Sequence, residues 1–353
     1  MIPRHILLAL SAATFASADT LINTLQQNGF NDFASIYQDA DPSILSSVDA
    51  GSNMIIYASK NVQGTTNSTL RRRDTTTNTQ IAAMSSVQNT ASSSKKLRFK
   101  RQNADSSPAV YQSLLNDPEI VNLGQGVNQS LVEKPVEGVP TVFAGAGKAV
   151  PVVGDDITFD GGVIRPVDSL LEIPGSIANT LTLFPQLSNL TALLIQYNLV
   201  EPVSEAAGIT VLAPEDSAFA AVDTSGLTDE QIVAILSQHV IVNYVGYSPL
   251  LKDGQVLNTL ANGTVTVAVR DSGVYFNGAK VTAADVIVGN GVVHTVASVV
   301  GSEGAGVPED GGDDTENPEN PENPPATGAA GRVGLGLKTL GLSALGMAVA
   351  ALF

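Results

Sequence analysis

The sequence predicts an α+β fold that is built from two related halves. Three observations predict it: helical periodicity early in the second half, strands separated by turn signals after those helices, and an internal repeat that aligns the two halves. Helices that precede a series of hairpins favour α+β over a parallel α/β sheet, in which helices and strands would alternate.

The helices of the second half come first. The segment from residue 187 to residue 199 has apolar side chains at helical spacing, at Leu187, Leu190, Leu193, Leu194 and Tyr197. Thr228 and Gln231 fit a capping box, because each side chain can satisfy the other's free backbone donor. The helix that this box opens has one buried face, formed by Ile232, Ile235, Leu236, His239 and Val240.

The strands of the second half follow. Residues 209–213 form an apolar run that Pro214 ends, and we expect Asp216 to cap a short turn that carries Phe219 inward. Apolar residues then alternate in segments such as Val265, Val267 and Val269. Turn signals separate these segments at Asp253-Gly254, Asn262-Gly263 and Asn277-Gly278.

An internal repeat relates the two halves. Leu21, Leu25, Gln27, Phe30 and Ser35 align with Leu190, Leu194, Gln196, Leu199 and Ser204, whereas Gly162 to Arg165 align with Gly291 to His294 at a shorter offset. The first half is therefore longer. The surplus is residues 64–107, which are rich in Ser, Thr, Asn and basic residues, and for which we predict a disordered insertion. Its basic clusters indicate either processing by a kexin-type protease after Arg101 or a solvated loop.

The two ends of the chain predict export and anchoring. Residues 1–18 combine Arg4, an apolar stretch and the small-residue pattern of Ala16 and Ala18, which is typical of a secretory signal peptide. Residues 328–353 begin with three small residues and end in an apolar tail, which predicts a glycosylphosphatidylinositol (GPI) anchor attached at Gly328. A short membrane helix is the alternative.

Composition restricts the chemistry of the exported part. The 353 residues include no cysteine and no tryptophan, and beyond the signal the only histidines are His239 and His294. Disulfides and thiolate chemistry are therefore excluded, and we expect no metal and no cofactor. Half of the net charge of −16 lies in residues 302–327, which are rich in Pro, Asn and Gly and which we interpret as an extended stalk.

Four Asn-x-Ser/Thr sequons mark candidate glycosylation sites in an exported chain: Asn67, Asn128, Asn189 and Asn262.

The second half resembles a fasciclin domain. The resemblance lies in residues 209–219, in Asn290 to His294 and in His239, whereas Gln238 and Ala297 depart from residues common in the family. The signature positions that we expect to be structural are Thr210, Pro214, Asp216, Phe219, His239, Asn290, Gly291 and His294. Gly161 to Asp168 resemble the second signature more weakly, with Arg165 at the histidine position. We therefore assign residues 19–173 to a divergent fasciclin-like domain and residues 174–301 to a second one.

The resemblance implies that each domain is a wedge of β-strands with helices packed on it, and that the protein acts in adhesion and surface organisation. It also implies that Asp285 and Val286 occupy the place of a binding motif of animal relatives, in which an exposed carboxylate lies beside an apolar contact. We favour a second interpretation, in which Asp285 is a loop aspartate that caps a turn.

Several patterns allow catalytic interpretations that weigh less than structural ones. His239 and His294 lie on apolar faces, which favours core histidines over catalytic bases. Asp271-Ser272-Gly273 resembles an aspartic-protease triplet but lacks an intact partner, and a hairpin turn is the better interpretation. No spacing singles out a glycosidase carboxylate pair.

The sequence thus predicts a non-enzymatic surface glycoprotein that adheres to other cells or organises wall or matrix components. Its partners would be wall or matrix components or proteins on apposed cells, not nucleic acid. It would sit at the outer face of the plasma membrane or in the cell wall. A secreted hydrolase that acts on cell-wall polymers is the alternative.

Overall fold

The α+β fold is confirmed in the computed structural model, which describes residues 20–51, 53–62, 74–89, 107–220, 222 and 226–301. The predicted signal, stalk and anchor segments, and with them Gly328, lie outside the described residues. The described part forms two domains, and in each of them helices lead into a sheet.

The first domain begins with helices α1 (Leu21–Gln27), α2 (Asn31–Asp39) and α3 (Pro42–Ala50), followed by strand β1 (Met54–Ser59). Helix α4 (Thr75–Ser85) runs directly into β2 (Ser86–Gln88). The remaining strands are β3 (Ala109–Ser113), β4 (Ser130–Val136), β5 (Val139–Phe143), β6 (Ala149–Pro151), β7 (Ile157–Phe159) and β8 (Gly162–Val167).

The second domain repeats this order. Helices α5 (Ile177–Leu181), α6 (Ser188–Gln196) and α7 (Val200–Glu205) precede β9 (Ile209–Pro214), and α8 (Asp216–Ala220) and α9 (Asp229–Gln238) follow it. The other strands are β10 (Val240–Ile241), β11 (Val256–Asn258), β12 (Thr264–Arg270), β13 (Gly273–Phe276), β14 (Ala279–Val288) and β15 (Gly291–Val296). Short 3-10 turns lie at Pro185–Leu187 and Ser248–Leu250.

The sheet of the first domain has eight strands and that of the second has seven, and both contain the same kind of central parallel pair. The first and last strands of each domain run parallel, as β1 with β8 and β9 with β15, and the other pairs within each sheet are antiparallel. Isolated bridges close each sheet on itself, from Val152 to Val167 in the first domain and from Ile241 to Thr259 in the second. Each domain is therefore a small barrel, and closure protects strand edges that would otherwise be free to pair with other chains.

The central strands separate two cores. Along β1, Met54 and Ile56 pack against the helices, whereas Ile55 and Tyr57 point into the barrel. Every residue of β1, β9 and β15 is buried. Because side chains alternate along a strand, a strand buried on both faces carries apolar residues in continuous runs, which explains why these segments lack a polar face.

The predicted repeat is confirmed at the level of the backbone. Gly29 and Asn198 occupy equivalent positions after α1 and α6, and both have positive φ angles, of 81° and 55°. The next residues donate equivalent hydrogen bonds, from Phe30 N to Leu25 O (2.9 Å) and from Leu199 N to Leu194 O (2.8 Å).

The prediction of disorder for residues 64–107 is wrong for residues 74–89. These residues form α4 and β2, with Ile81, Met84 and Val87 each at most 3% exposed. Asp74 caps the helix by accepting a hydrogen bond from Thr77 N (2.8 Å). Polar residues flank this short apolar stretch on both sides, so the composition of the whole segment concealed it. The rest of the segment, including Arg101, lies outside the described residues.

Helix α9 begins as predicted, with both hydrogen bonds of the capping box between Thr228 and Gln231 in place. Asp216 differs from expectation. Its carboxylate accepts hydrogen bonds from Asn189 N (2.8 Å) and Ser188 Oγ (2.5 Å), so it caps α6, which is distant in sequence, while Phe219 packs half-buried on the helical core.

His239 lies at the end of α9 and is 2% exposed. Nε2 accepts a hydrogen bond from Val300 N (2.9 Å), so Nδ1 carries the proton and donates it to Ile235 O (2.7 Å). Burial lowers the pKa of His239 to about 4, although the bond to Ile235 acts in the opposite direction. The neutral ring therefore ties the end of the helix to the end of the domain, at the place where the sequence predicts a core histidine.

Gly291 allows β15 to lie against β9. A Cβ atom at this position would come within 1.9 Å of Ile209 O. A Cβ atom at Gly162 would clash in the same way with Met54 O. We expect Gly291→Ala to lower the free energy of unfolding by about 3 kcal/mol, because the parallel pair must separate to admit the methyl group. Chemical denaturation monitored by circular dichroism measures this change.

Gly226→Ala is the matched control, since a Cβ atom at Gly226 has no neighbour within 4 Å. We expect its stability to stay within about 0.5 kcal/mol of the wild type. Equal losses in the two variants would contradict the steric explanation.

The buried His239 predicts that acid weakens the second domain. Its pKa in the folded state, about 4, lies below the ordinary value of 6.5, so the unfolded chain binds the proton more readily between these values. The stability should therefore fall as the pH drops from about 6.5 to 4, by about 3 kcal/mol for this one group. Denaturation curves of the wild type and of His239→Gln over this range test it: a variant with the full wild-type slope would contradict the assignment.

Candidate functional site

The two domains meet at an apolar patch formed by strands of both. Its buried members are Val132 from the first domain and Tyr247, Ile287 and Val292 from the second. Val110, Phe143 and Val245 pack at its margin. A patch of this composition excludes water and favours a fixed contact between the domains.

Backbone groups of the two domains also meet directly. Asn122 N donates to Gly289 O (2.8 Å), and Asn122 O accepts from Gly208 N (3.2 Å). A Cβ atom at Gly289 would lie 2.2 Å from Ile120 O, so the contact requires glycine at this position. The close approach shows that the interface is matched in shape at the level of the main chain.

Gln129 extends this contact across the interface. Its buried side chain donates from Nε2 to Val288 O (3.0 Å), and its Oε1 accepts from the hydroxyl of Tyr247 (3.4 Å). The amide thus satisfies polar groups of the second domain that the interface removes from water.

Asp285 is the charged group at the centre of the interface. It lies where β14 shifts register against β15, has a φ of 70° and is 0% exposed. An irregularity of this kind can re-aim a side chain, and aspartate tolerates positive φ better than most residues. The carboxylate is directed towards the first domain as a result.

Groups from both domains hold the Asp285 carboxylate. Lys134 Nζ of β4 forms an ion pair with Oδ2 (2.5 Å), and the lysine side chain is 20% exposed. From the second domain, Ser248 donates its backbone N–H to Oδ1 (2.7 Å) and its hydroxyl to Oδ2 (2.5 Å). The Lys134 ammonium also lies 4.6 Å from the centre of the Phe143 ring, a cation–π contact.

His294 lies beside this carboxylate without bonding to it. Nδ1 accepts a weak hydrogen bond from the backbone N–H of Asp285 (3.4 Å), and Nε2 donates to Gly246 O (2.8 Å). Burial lowers the pKa of His294 below its ordinary value, with Asp285 and the Gly246 carbonyl acting against this effect. The ring is therefore neutral at pH 7.

The charge of Asp285 is retained in the folded protein. Burial opposes the ionised form, but the positive charges of His294, when it is protonated, and of Lys134 act the other way, together with hydrogen bonds from Lys134 and Ser248. The net effect holds the pKa of Asp285 below its ordinary value.

Ser248, His294 and Asp285 are three residue types of a catalytic triad, but their geometry is different. A triad needs the serine hydroxyl on the imidazole and the imidazole on the carboxylate. Here the hydroxyl of Ser248 donates to the carboxylate, and both ring nitrogens of His294 bond to backbone groups. The arrangement holds an ion pair in place and contains no activated nucleophile.

The first domain contains an equivalent aspartate. Asp156 precedes Arg165 by the same nine positions that separate Asp285 from His294. Arg165 binds Asp156 through Nε (2.9 Å) and Nη2 (2.8 Å) and reaches Glu133 through Nη1 (2.7 Å). Tyr57 donates to the same Glu133 oxygen (2.6 Å). The first domain therefore neutralises its aspartate with its own arginine.

The exposure that a binding role of Asp285 and Val286 requires is not observed. Asp285 is covered by the first domain, and Val286 is 4% exposed and packs in the helical core of its own domain. The turn-capping interpretation of Asp285 agrees better with the structure, since the carboxylate accepts a hydrogen bond from Ser248 N at the start of a 3-10 turn. Sequence reasoning had no means of placing a distant domain over this corner.

Most other signature residues hold the frame of the second domain. Thr210 Oγ1 donates to Tyr244 O (2.7 Å) and accepts from Gly246 N (2.8 Å). Asn290 Nδ2 donates to Val203 O (2.7 Å) and Ala206 O (2.8 Å), which fixes the end of α7. Pro214 is the last residue of β9 and pairs with Val296.

The sequons differ in accessibility. Asn189 and Asn262 are exposed, at the start of α6 and in a turn with positive φ. Asn128 is half-buried, and its Nδ2 donates to Ser113 O (2.9 Å). Asn67 lies outside the described residues.

The segment from Asp271 to Gly273 forms the tight turn between β12 and β13, in which Arg270 pairs with Gly273. Within the described ranges, no cluster of three or more histidine, aspartate and glutamate side chains is placed to hold a metal ion.

Sequence reasoning missed Lys134, Ser248 and Gln129. Lys134 follows Glu133 on an ordinary strand, and nothing local distinguishes it. One signal was present in the repeat: extending the alignment of Arg165 with His294 back by nine residues pairs Asp156 with Asp285. The two domains of this chain therefore share an acid at this position, but its ion-pair partner differs between them.

Comparison with known proteins shows what this chain is similar to. Residues 185–301 match the fasciclin domain. The chain is 29% identical over 205 residues to a fasciclin-like arabinogalactan protein of Cercospora beticola, covering 57% of this chain and 53% of that protein. A fasciclin-like arabinogalactan protein of Arthroderma benhamiae is 28% identical over 199 residues, covering 55% and 46%. The chain thus spans about half the length of these curated relatives.

Protein sll1483 of Synechocystis is 32% identical over 120 residues, covering 32% of this chain and 66% of that protein. Among solved structures, the FAS1 domain pair of the insect cell adhesion molecule fasciclin I is matched over 78% of this chain and 97% of that one, with 17% identity and a TM-score of 0.36. The sequence matches thus show that this chain is similar to fasciclin-domain proteins, and the fasciclin-domain match lies at residues 185–301.

Proposed function

We propose that this protein is a non-enzymatic surface glycoprotein that mediates adhesion or organises wall or matrix components through its fasciclin domains. The match of residues 185–301 to the fasciclin domain is the observation that carries the proposal. The domain and the fungal fasciclin-like arabinogalactan proteins support a cell-surface, adhesion-type role.

The chemistry of the described residues favours binding over catalysis. Both buried histidines are bonded through both ring nitrogens, and the buried Asp285 is paired. A general base needs a free lone pair within reach of substrate, and an imidazole engaged in this way offers none. The hydrogen bonds and the ion pair of these side chains therefore stabilise the fold.

A secreted hydrolase of wall polymers is the second candidate. This function requires a pair of carboxylates that flank the bond to be cleaved. Release of soluble fragments from wall glucans or proteins, abolished by a single acidic substitution, would favour this candidate over adhesion.

Adhesion by such a protein would depend on surface density. We expect beads that carry the mature chain at high density to be retained on intact fungal cells or wall fractions. Halving the density should reduce retention by clearly more than half, because many weak contacts add through multivalency. Bead retention under flow measures this.

Beads that carry the Gly226→Ala variant control for effects of preparing and coupling a variant protein. Beads that carry an unrelated glycoprotein of similar negative charge control for retention by charge alone. Retention no higher than on the charge control would contradict the proposal. Retention that is proportional to density would contradict the multivalent mechanism.

We further propose that the protein is exported by residues 1–18 and held at the outer face of the plasma membrane by a GPI anchor at Gly328, with residues 302–327 as the stalk. Within the described ranges, no helix has the length and apolar character needed to span a membrane. The exposed sequons Asn189 and Asn262 are the sites where we expect glycans first.

The anchor makes a separate prediction. Phosphatidylinositol-specific phospholipase C should release the protein from the surface of intact cells, as measured by immunoblotting of the supernatant. Replacing residues 328–330 with glutamine should abolish the releasable pool, because the attachment site requires small residues. Glu322→Gln in the stalk is the matched control. A pool that stays cell-bound after treatment would favour a membrane helix or direct linkage to the wall.

A further inference from the structure

The second domain contains a buried acid without a base of its own. Asp156 and Asp285 occupy equivalent positions, but the arginine that neutralises Asp156 is replaced by His294. His294 uses Nε2 on Gly246 O and Nδ1 on the Asp285 backbone, and it is neutral at pH 7. It therefore cannot supply the missing positive charge.

The groups that face the Asp285 side chain come from several elements. Ser248 and Tyr247 flank it from the loop that precedes β11, His294 lies on β15, and Lys134 reaches it from the first domain. Among these described groups, Lys134 supplies the one permanent positive charge. A fully buried carboxylate without such a partner is strongly unfavourable.

Strand β4 is arranged to deliver this charge. Successive side chains on a strand point to opposite faces. Glu133 therefore turns into its own barrel, where it accepts from Arg165 and Tyr57, and Lys134 turns outward to the second domain. The Phe143 ring lies against the ammonium group and restricts where it can go.

The surrounding contacts hold the two domains in the register that this pair needs. Gly147 of the first domain lies so close to Phe184 and Val286 that a Cβ atom would meet them at 2.8 Å and 3.2 Å. Together with the contact of Gly289 with Ile120, this leaves no room for the domains to slide past each other.

We propose that Lys134 of the first domain is the counter-ion that the second domain lacks, and that the native state of the β14–β15 hairpin depends on it. The first domain is then a structural partner of the second, and a buried ion pair links the two. The charge requirement is one-sided, because Asp156 already has an ion-pair partner in its own domain, Arg165.

Hydrogen exchange measured by mass spectrometry on the full chain tests the proposal. In Lys134→Met, we expect amides of residues 279–296 to exchange at least tenfold faster than in the wild type, because breaking a buried pair leaves an uncompensated charge. Amides of β1 and β8 in the first domain, where the substitution lies, should change little. Lys252→Met, which removes an exposed lysine, controls for the loss of one charge.

The double variant Lys134→Met/Asp285→Asn separates the ion pair from lost packing. The asparagine keeps an acceptor for Ser248 and tolerates the positive φ, but it has no charge to neutralise. Exchange in residues 279–296 should therefore return towards the wild-type rate. Lys134→Arg, which keeps the charge, should stay within about threefold of the wild type by the same reasoning.

Three results would overturn the proposal. Equal acceleration in both domains of Lys134→Met would show a general loss of folding. Unchanged exchange in residues 279–296 would show that the charge is dispensable. Additive effects in the double variant would show that the two side chains act independently.

Discussion

The parallel pairing of the first and last strands of each domain is the constraint on which the rest of the structure depends. β1 with β8 and β9 with β15 bring together segments that are far apart in the chain, and both pairs need a glycine where the backbones meet. Once these strands are paired, the helices pack on one face of the pair. The remaining strands continue the sheet and close the barrel on the other face. The two cores of each domain, one under the helices and one inside the barrel, follow from this single pairing.

The elements that sequence reasoning predicted well are those whose determinants are local. The capping box at Thr228 and Gln231 needs only four consecutive residues. The largely apolar sequences of β9 and β15 indicate strands that are buried on both faces. Helix α4 was missed because its apolar residues are few and its neighbours are polar, so that its contacts with α2 and β1 supply stability that its own composition does not indicate. Tertiary packing commonly decides the state of such short segments.

The candidate site was the least predictable part, and the reason is the range of its contacts. Asp285 was predicted to be either an exposed acid beside an apolar residue or a loop aspartate that caps a turn, but its environment is set by Lys134, which lies about 150 residues earlier in the chain. Asp216 gives a second example, since it caps a helix that begins 28 residues before it. In both cases the carboxylate was singled out and its partner was not. The neighbouring sequence of a charged side chain on a strand or loop does not indicate which distant residue it will contact.

The contact of Gly289 with Ile120 has a consequence for how this architecture can change over time. Two modules that touch through bare main chain cannot be exchanged independently, since any substitution at the contact has to be accommodated on the opposite side. A gene fusion that contained the C-terminal module alone would include Asp285 but lack its ion-pair partner, Lys134. The tandem, and not the single module, is therefore the unit that duplication, recombination or protein engineering would have to move.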